Sequence, residues 1–564
     1  MSKEVKIPYG VSNFESLRME NYLYVDKTRF IKELECFKTV IYLRPRRFGK
    51  SLFVSMLESY YDVSTTDRFD DLFSDLYVHE NPTANRNNYY ILRFNFSGIE
   101  TKDADTVLAG FLRKVKNAIS RFIKKYDFPI SMIDDETAAA MLESLLSQLL
   151  ELNLKHKVYI LIDEYDHFAN AVLTNVGLEG FMDLVRRGGT VRSFYEVIKE
   201  KNESGIVERF FATGVMPVCL DSMTSGFNIA TNLTTEADYA DMMGFNPQEV
   251  LKLLSECKLE LHQSEEIYDI LKQSYNGYLF SEDNDIKVFN STLIMYYLSR
   301  YLPRKKHPRS LVDPNLNQKG STVRNLVNLK NSEANYEVVE EIVKNGQTVG
   351  VLSDFIDVDE RYDKNDFITL MFNIGLLTIK ESGLKTVFEI PNIIIESVFL
   401  NYLRDMLEKR QGYKIDVRDQ EKALFELGED GKIDEVTRQV SDFLQHLSVR
   451  DHLGFDEKYI KLVYLMMLQV NEQYFIFSEF EAKQGYTDLT ILKTPNSYAR
   501  YEYLIELKHL KKGETTEAKI EKEFNDAVGQ INEYMKDKRM NNRSDLKKFV
   551  VIFSGFEVVR LEEV

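Results

Sequence analysis

The chain has 564 residues, of which 44% are hydrophobic and 29% are charged, and its formal net charge is −17. The length predicts roughly three or four domains, and the negative charge argues against adhesion to nucleic acid or anionic membrane through overall charge. Three widely spaced cysteines without a C-x-x-C pair indicate neither a disulfide framework nor a zinc cluster. Because no apolar run approaches the length of a membrane span, we expect a cytoplasmic protein with no membrane partner.

Short apolar segments alternate with helical patterns in the first half of the chain. Strands are predicted at residues 40–43, 90–96, 158–162 and 209–213, and helices at residues 52–61, 106–126 and 138–152. Apolar strands separated by helices are typical of a parallel sheet with crossover helices. The pattern therefore predicts an α/β domain over residues 1–235.

A phosphate-binding loop is predicted where the first strand ends. Gly49-Lys50-Ser51 matches the end of the motif G-x-x-x-x-G-K-[ST], in which backbone N–H groups wrap the phosphates. In that motif the lysine reaches the β and γ phosphate oxygens, and the hydroxyl ligates Mg²⁺. Arg44 stands where the motif has its first glycine, and before Pro45 it favours extended backbone. The loop residues that we expect to bind ATP are Arg44, Arg46, Arg47, Phe48, Gly49, Lys50 and Ser51.

Two acids at the end of another strand supply the second element of a nucleotide site. Residues 158–162 are apolar and are followed by Asp163-Glu164. We expect Ser51 and Asp163 to position Mg²⁺ and Glu164 to orient or deprotonate water, because phosphoryl transfer depends on positioning and electrostatics. The alternative is that these acids only cap helices at strand ends. Thr213 ends the next strand and is either a sensor of the γ-phosphate or a turn residue.

The middle of the chain changes to mainly helical patterns. Residues 236–310 predict a lid-like helical segment, whose basic end at 302–309 indicates a solvated linker, with a nucleic-acid contact as the alternative. A helix, a glycine turn and two short strands at 366–392 are compatible with a winged-helix module within residues 311–400. Residues 401–455 predict a helical connector.

Acidic and lysine residues on neighbouring predicted strands mark the C-terminal part of the chain. Asp488 opens one strand, and Glu506-Leu507-Lys508 lies on the next. Because alternate residues of a strand share a face, Glu506 and Lys508 point together while Leu507 faces the core. Two carboxylates that hold Mg²⁺ or Mn²⁺, with a lysine that stabilises a phosphate, carry out metal-dependent phosphodiester cleavage. The alternative is a solvated Glu-x-Lys pair.

Four motifs together resemble the AAA-ATPase-like proteins that are fused to a C-terminal nuclease-like domain. They are Tyr24-Val25-Asp26-Lys27-Thr28, Arg44-Pro45-Arg46-Arg47-Phe48-Gly49-Lys50-Ser51, Leu161-Ile162-Asp163-Glu164-Tyr165-Asp166 and Thr213-Gly214-Val215. The loop of this family commonly contains R-P-R-R-F-G-K-S, so the resemblance implies that Arg44 is a family trait. It also implies that the N-terminal α/β domain is a P-loop NTPase of AAA-like fold.

The C-terminal region is similar to the PD-(D/E)XK nuclease fold in its order of helix, three strands, helix and strand. The resemblance implies that Asp488, Glu506 and Lys508 form the metal and catalytic triad. It further implies that Glu457 is a supporting metal ligand and that Gln530 is an orienting catalytic group. The fold class is then an α/β chain with a restriction-endonuclease-like C-terminal domain.

These patterns predict an ATP-binding protein and ATPase coupled to a Mg²⁺-dependent nuclease-like domain, at residues 456–564, that acts on DNA or RNA. The first alternative is an ATP-dependent switch or scaffold whose nuclease-like domain binds without cutting, and the second is an ATPase without a nucleic-acid role. A row of Lys and Arg on residues 106–126 is either a nucleic-acid face or the solvated side of an amphipathic helix. A homo-oligomer is also a candidate, because a neighbouring subunit can complete an AAA-like site.

Overall fold

The structure is a computed structural model that describes most of the chain. The described residues are 5–100, 102–131, 135–167, 189–217, 230–313, 319–353, 362–411, 416–446, 456–468, 473–478, 480–482, 485–513 and 515–564. Contacts divide the chain into unit 1 (Met1–Arg304, Asn325–Tyr336 and Val349–Pro391) and unit 2 (Lys305–Arg324, Glu337–Thr348 and Asn392–Val564). The segment predicted as lid-like therefore shares a unit with the phosphate-binding loop as far as Arg304.

Unit 1 is built on a parallel sheet of five strands in the order β2-β3-β4-β1-β5. The strands are β1 (Thr39–Leu43), β2 (Tyr89–Asn95), β3 (Lys157–Asp163), β4 (Val207–Gly214) and β5 (Thr231–Asn232). Every residue of β1 is buried, as in parallel strands that are covered on both faces. Asp163 pairs with Thr213 and Leu43 pairs with Gly214, so the carboxyl ends of β3, β4 and β1 meet at one edge. The sheet confirms the predicted α/β class.

Helices and a hairpin form the rest of unit 1. The helices are Phe14–Met19, Phe30–Leu34, Lys50–Tyr61, Phe69–Phe73, Tyr77–Glu80, Ala104–Lys125, Ala138–Glu151, Thr190–Glu203, Pro247–Glu256, Leu261–Tyr275, Ser291–Arg304 and Lys364–Asn373. The helix Lys50–Tyr61 lies against β2 and β3, which places its first turn at the edge where the strands end. β7 (Thr378–Glu381) and β8 (Thr386–Glu389) pair antiparallel after the last of these helices. The winged-helix module that this helix and hairpin suggest stays a prediction.

Three elements lie where the sequence alternates between the two units. They are the helices Lys319–Val327 and Ser332–Asn345 and the strand β6 (Gln347–Gly350). No helix within the described ranges is long and apolar enough to cross a membrane.

Unit 2 contains a mixed sheet of five strands in the order β15-β14-β13-β12-β9. Its strands are β9 (Tyr474–Ser478), β12 (Leu489–Lys493), β13 (Glu502–Leu510), β14 (Leu546–Ser554) and β15 (Glu557–Glu563), with a ribbon of β10 (Glu481–Ala482) and β11 (Gly485–Tyr486). β13 and β14 are parallel, and the other neighbours are antiparallel. The helices are Ile393–Gln411, Val417–Phe425, Asp434–Gln445, Glu457–Leu468, Glu517–Tyr534 and Lys538–Asn541.

The helix Glu517–Tyr534 covers one face of this mixed sheet. It begins at Thr516, whose side chain accepts a hydrogen bond from the Lys519 N–H, as a serine or threonine cap does. Ala527 and Ile531 of the helix belong to one buried cluster with Val550 of β14. Because these apolar side chains recur at helical spacing, they turn one face of the helix to the sheet.

Candidate functional site

The phosphate-binding loop joins β1 to the helix Lys50–Tyr61. Gly49, directly before the helix, has a φ of 91°, which glycine adopts without the steric cost of a Cβ atom. Arg47 also has a positive φ, of 73°, an uncommon conformation for a residue with a Cβ atom. The first N–H groups of a helix have no partner within it, so a helix that begins directly after such a turn offers donors to an anion.

The Lys50 ammonium is hydrogen-bonded to carbonyl groups of its own loop. Its Nζ lies 2.9 Å from the carbonyl oxygen of Arg44 and 2.8 Å from that of Pro45. Burial lowers the pKa of Lys50 to about 8, and the nearby carboxylates of Asp166 and Glu164 oppose this shift. A phosphate would replace the two carbonyl groups with full negative charge, which a buried ammonium binds more strongly.

The Arg44 guanidinium is buried and is held by backbone carbonyl groups. Nη1 donates to the Thr234 carbonyl at 2.6 Å, and Nη2 donates to the Ala240 carbonyl at 3.1 Å. The guanidinium carbon lies 4.2 Å from the ring centroids of both Tyr42 and Phe280, a cation–π arrangement. These two donors serve the fold, and the predicted contact of Arg44 with phosphate stays a prediction.

The other loop residues line a cavity or anchor the loop. Arg46 is exposed and Arg47 is half-buried, and both line the cavity together with Ser51. Phe48 also lines it, but its ring is buried and packs edge-on against Tyr278, with 5.0 Å between ring centroids. The structure thus places the two arginines where a ligand in the cavity can meet them.

The cavity beside the loop has a volume of about 400 Å³, within the range of small-molecule sites. Its lining joins the phosphate-binding loop to apolar groups from the N-terminal segment and from the residues after β5. Examples are Val11, Leu23, Met243 and Met295. A lining that combines charged loop residues with apolar side chains suits a ligand that has both phosphate groups and an apolar part.

Asp163 is fully buried at the end of β3, and only one of its two carboxylate oxygens accepts a hydrogen bond within the described part of the chain. Oδ2 accepts a hydrogen bond from the Asn95 side chain at 3.2 Å and lies 3.6 Å from the Arg93 guanidinium. Oδ1 is buried without a hydrogen-bond partner among the residues that the structure describes. An orphaned buried carboxylate oxygen is costly unless a ligand satisfies it, so Asp163 fits a hard cation.

Glu164 and Thr213 lie at the same edge of the sheet. Glu164 has a φ of 54°, is half-buried, lines the cavity and lies 3.2 Å from the His167 imidazole. A positive φ at a non-glycine residue next to a cavity is a feature of strained functional sites. The Thr213 hydroxyl donates to the Tyr42 carbonyl at 2.7 Å, so its predicted role as a sensor stays a prediction.

Asp166 holds the chain that follows β4, a role that the sequence pattern did not reveal. Its carboxylate accepts hydrogen bonds from the N–H groups of Val215 at 3.0 Å and Met216 at 2.7 Å. A Cβ atom on Gly214 would collide with the Asp166 carboxylate and the Tyr165 ring. The only available signal was the third acid in Asp163-Glu164-Tyr165-Asp166, two positions after Glu164.

A second site, in unit 2, brings together Asp488, Glu506 and Lys508. Asp488 lies just before β12, and its Oδ2 accepts a hydrogen bond from the Leu507 N–H at 2.9 Å. Glu506 is only 2% exposed, and its Oε1 accepts a hydrogen bond from Lys508 Nζ at 2.9 Å. Glu506 Oε2 is buried without a partner within the described part of the chain. As at Asp163, this free oxygen fits a cation.

Burial and the Asp488 carboxylate raise the pKa values of two glutamates at this site. Burial and then the Asp488 carboxylate raise the pKa of Glu506 to about 8. The same two causes raise the pKa of Glu457 to about 7. Burial lowers the pKa of Lys508, but its attraction to Glu506 and the other acids outweighs burial, and the net shift is upward. Repulsion by a neighbouring carboxylate is relieved when a metal ion binds.

Besides the predicted Gln530, the helix Glu517–Tyr534 brings Tyr534 near the acids of this site. Gln530 is exposed, and its catalytic role stays a prediction. Tyr534, four residues later, is buried, and its hydroxyl donates to the Tyr486 carbonyl at 2.8 Å. After burial, Glu506, Asp488 and Glu457 are the largest causes that raise the pKa of Tyr534. The helical spacing of Tyr534 from Gln530 was the only sequence signal for this neighbour of the acids.

Metal coordination at these sites does not involve a preformed cage. Within the described ranges, no group of three or more His, Cys, Asp or Glu side chains is arranged to hold a metal ion. Mg²⁺ usually keeps several waters and uses only one or two carboxylates of the protein. The predicted ligand pairs, Ser51 with Asp163 and Asp488 with Glu506, are of this size, and their role and that of Glu457 as metal ligands stay predictions.

The two sites define two classes of domain, a P-loop nucleotide-binding domain and a nuclease-like domain. Residues 8–224 match the family model described as a predicted AAA-ATPase, and residues 455–563 match that of the PD-(D/E)XK nuclease superfamily. The chain thus carries an AAA-ATPase-like domain and a C-terminal PD-(D/E)XK nuclease-like domain, as the sequence predicted.

A similar protein is described as an uncharacterized protein in the vnfD 5′ region of Azotobacter chroococcum mcd 1. It is 28% identical to this chain over 291 residues. The matched stretch covers 51% of this chain and 51% of that protein. The chain therefore spans about half the length of this relative.

Proposed function

We propose that unit 1 binds and hydrolyses ATP with Mg²⁺ and that unit 2 is a metal-dependent nuclease-like domain acting on DNA or RNA. The observation that carries the first part is the buried Lys50 ammonium at the wall of the cavity, where its two hydrogen bonds go to loop carbonyl groups. The observation that carries the second is the free buried oxygen of Glu506 beside Asp488 and Lys508. In this proposal the ATP state of unit 1 controls the activity of unit 2.

In unit 1, Lys50 neutralises the β and γ phosphates, and Arg46 and Arg47 add charge at the cavity. Ser51 and Asp163 hold Mg²⁺, which supplies charge neutralisation at the phosphates when bound. Glu164 accepts a proton from water, or orients it, at the cavity wall.

In unit 2, Asp488 and Glu506 hold Mg²⁺ or Mn²⁺, with Glu457 as a supporting ligand. The metal supplies stabilisation of charge on the scissile phosphate when bound. Lys508 gives up its hydrogen bond to Glu506 and donates a hydrogen bond to a phosphate oxygen instead. Gln530 orients the reacting groups if its helix presents it to the substrate.

The ATP proposal is tested by calorimetry with Mg²⁺·ATP on the parent chain, Lys50→Ala and the control Lys124→Ala. Lys124 is exposed on the helix Ala104–Lys125, so its replacement should leave the affinity unchanged. We expect Lys50→Ala to weaken binding at least about tenfold, since it removes a charge-assisted contact worth about 1.5–3 kcal/mol. Equal affinities in the three proteins would refute the site.

The nuclease proposal is tested by cleavage of labelled DNA and RNA with Mg²⁺ or Mn²⁺, with and without ATP. We expect Asp488→Ala to lower the rate at least about a hundredfold, because it removes a metal ligand. Asp526→Ala is the control, since Asp526 is exposed on the helix Glu517–Tyr534. Cleavage by Asp488→Ala at the parent rate would exclude this site as the catalyst.

One observation favours the switch or scaffold alternative. Burial and the Asp488 carboxylate raise the pKa of Glu506 to about 8, so a metal ion has to displace a proton from this carboxyl group at neutral pH. A unit 2 that binds nucleic acid in an ATP-dependent manner, but does not cut with either metal, would support this alternative. We also propose that the protein assembles as a homo-oligomer and that it is cytoplasmic. Measurement of its molecular mass in solution, with and without ATP, tests the assembly.

A further inference from the structure

An exposed aromatic residue stands in the chain segment that leads to Asp488 in unit 2. The Tyr486 side chain is 61% exposed, although large aromatic side chains are usually buried for the most part. Tyr486 comes two residues before Asp488, and two residues of extended chain span at most about 7 Å. The backbone of Tyr486 is therefore at most about 7 Å from that of Asp488.

The backbone of Tyr486 is fixed on the protein even though its ring faces solvent. Tyr486 pairs with Glu481 in the β10–β11 ribbon, and its carbonyl accepts the hydrogen bond from the buried Tyr534. A Cβ atom on the preceding Gly485 would lie 3.4 Å from the Tyr534 ring, so the two elements are in close contact. A ring on a fixed backbone loses little conformational entropy when a ligand packs on it.

The charge of the surrounding region does not favour recognition of a duplex by its backbone. Residues 456–564 contain 17 Lys and Arg against 19 Asp and Glu. Binding to the backbone of double-stranded nucleic acid depends on several Lys or Arg contacts that release counterions. Stacking of a base on an aromatic ring adds affinity to the charge contacts with the backbone, and it needs a base whose face is free.

We propose that Tyr486 is a stacking platform for an unpaired base and that unit 2 therefore takes single-stranded DNA or RNA rather than duplex. This inference rests on the proposed nuclease-like function of unit 2. In a duplex each base face is covered by its neighbours, so the ring has nothing to stack on. In a single strand, an overhang or a loop, the base next to the phosphate at Asp488 can lie on Tyr486.

The test uses the full-length protein and one labelled 20-nucleotide sequence as single-stranded DNA, single-stranded RNA and duplex DNA. Binding is measured by fluorescence anisotropy in EDTA, where the strands stay intact, and cleavage is measured with Mg²⁺ or Mn²⁺. The variants are Tyr486→Ala, Tyr486→Phe and the control Tyr498→Ala. Tyr498 is 84% exposed in the connection between β12 and β13, so it controls for loss of any exposed ring in the unit.

We expect the parent to bind the single strands more tightly than the duplex. Tyr486→Ala should weaken single-strand binding at least about fivefold and lower cleavage of the same strands. Tyr486→Phe and Tyr498→Ala should stay within about twofold, because stacking uses the ring and not the hydroxyl. The arms with DNA and RNA show which single strand is preferred.

Three outcomes would overturn the inference. The first is a parent that prefers the duplex, and the second is Tyr486→Ala behaving like the parent or like Tyr498→Ala. Either of these leaves the nuclease-like function standing if the parent still binds and cuts. The third is a parent that neither binds nor cuts any of the three substrates, which refutes the proposed function together with the inference.

Discussion

The backbone N–H of Leu507 donates a hydrogen bond to the carboxylate of Asp488 at 2.9 Å. This bond ties the residue just before β12 to the middle of β13. Since neighbouring residues of a strand face opposite sides, the buried Leu507 side chain leaves Glu506 and Lys508 together on the other face. Asp488 and Glu506 are therefore held close together by the fold itself, and the raised pKa of Glu506 reflects the nearby Asp488 carboxylate.

The first prediction concerns the pH dependence of stability in unit 2 without metal. Glu506 and Glu457 have pKa values of about 8 and about 7 in the folded protein, above roughly 4.3 for an unfolded glutamate. Their stabilising contribution is full below pH about 4.3 and is lost as pH rises through the folded pKa values. We expect the free energy of unfolding, measured with urea in EDTA, to fall between pH 5 and 9.

Glu506→Gln is the matched control for this prediction. A glutamine keeps the size of the side chain but does not titrate, so the variant should lose part of the pH dependence. Added Mg²⁺ should stabilise the parent most at high pH, where the carboxylates are ionised. Identical pH profiles of parent and variant would contradict the assigned pKa values.

The second prediction concerns the pH dependence of ATP binding. The Lys50 pKa of about 8 means that the ammonium loses its proton above that pH in the free protein. Phosphate binds the charged form, so we expect the affinity for Mg²⁺·ATP, by calorimetry, to fall about tenfold between pH 7 and 9. Lys50→Arg keeps its charge throughout and should show a flatter profile. An equally steep profile for Lys50→Arg would show that another group titrates.

The third prediction concerns the charge around Asp163. The Arg93 guanidinium lies 2.9 Å from Glu58 and 3.6 Å from Asp163. Glu58 therefore offsets a positive charge that would otherwise repel a cation at Asp163. We expect Glu58→Gln to raise several-fold the Mg²⁺ concentration needed for half-maximal ATP binding. Glu196→Gln, which alters an exposed pair on the helix Thr190–Glu203, is the control, and the same shift there would contradict the explanation.

The fourth prediction concerns Gly214 at the end of β4. A Cβ atom there would collide with the Asp166 carboxylate and the Tyr165 ring. We expect Gly214→Ala to lower the stability of unit 1 by about 1–3 kcal/mol. It should also weaken ATP binding, because Tyr165 and Asp166 directly follow Asp163 and Glu164 at the end of β3. Gly383→Ala is the control, since the nearest atom to its Cβ atom would be 3.7 Å away. Thermal unfolding that does not distinguish the two variants would contradict the prediction.

Local sequence determined the main elements and the central pairs of both sites. One apolar segment ends just before Arg44 and another ends at Asp163, and both are strands of one parallel sheet. Parallel strands of one sheet have their carboxyl ends at a common edge. The period of two along β13 placed Glu506 and Lys508 on one face. These relationships depend on periodicity and strand direction, which short stretches of sequence contain.

Only the tertiary structure decided which charged residues serve the fold and which face a ligand. Arg44 is in the loop by sequence, but its guanidinium binds carbonyl groups about 190 positions further along the chain. Tyr534 lies near the acids of unit 2, and Glu58 pairs with Arg93 beside Asp163. Both residues stand on helices whose sequence pattern distinguishes only a buried and an exposed side. Burial and partner choice depend on contacts between distant segments, and no local pattern specifies those contacts.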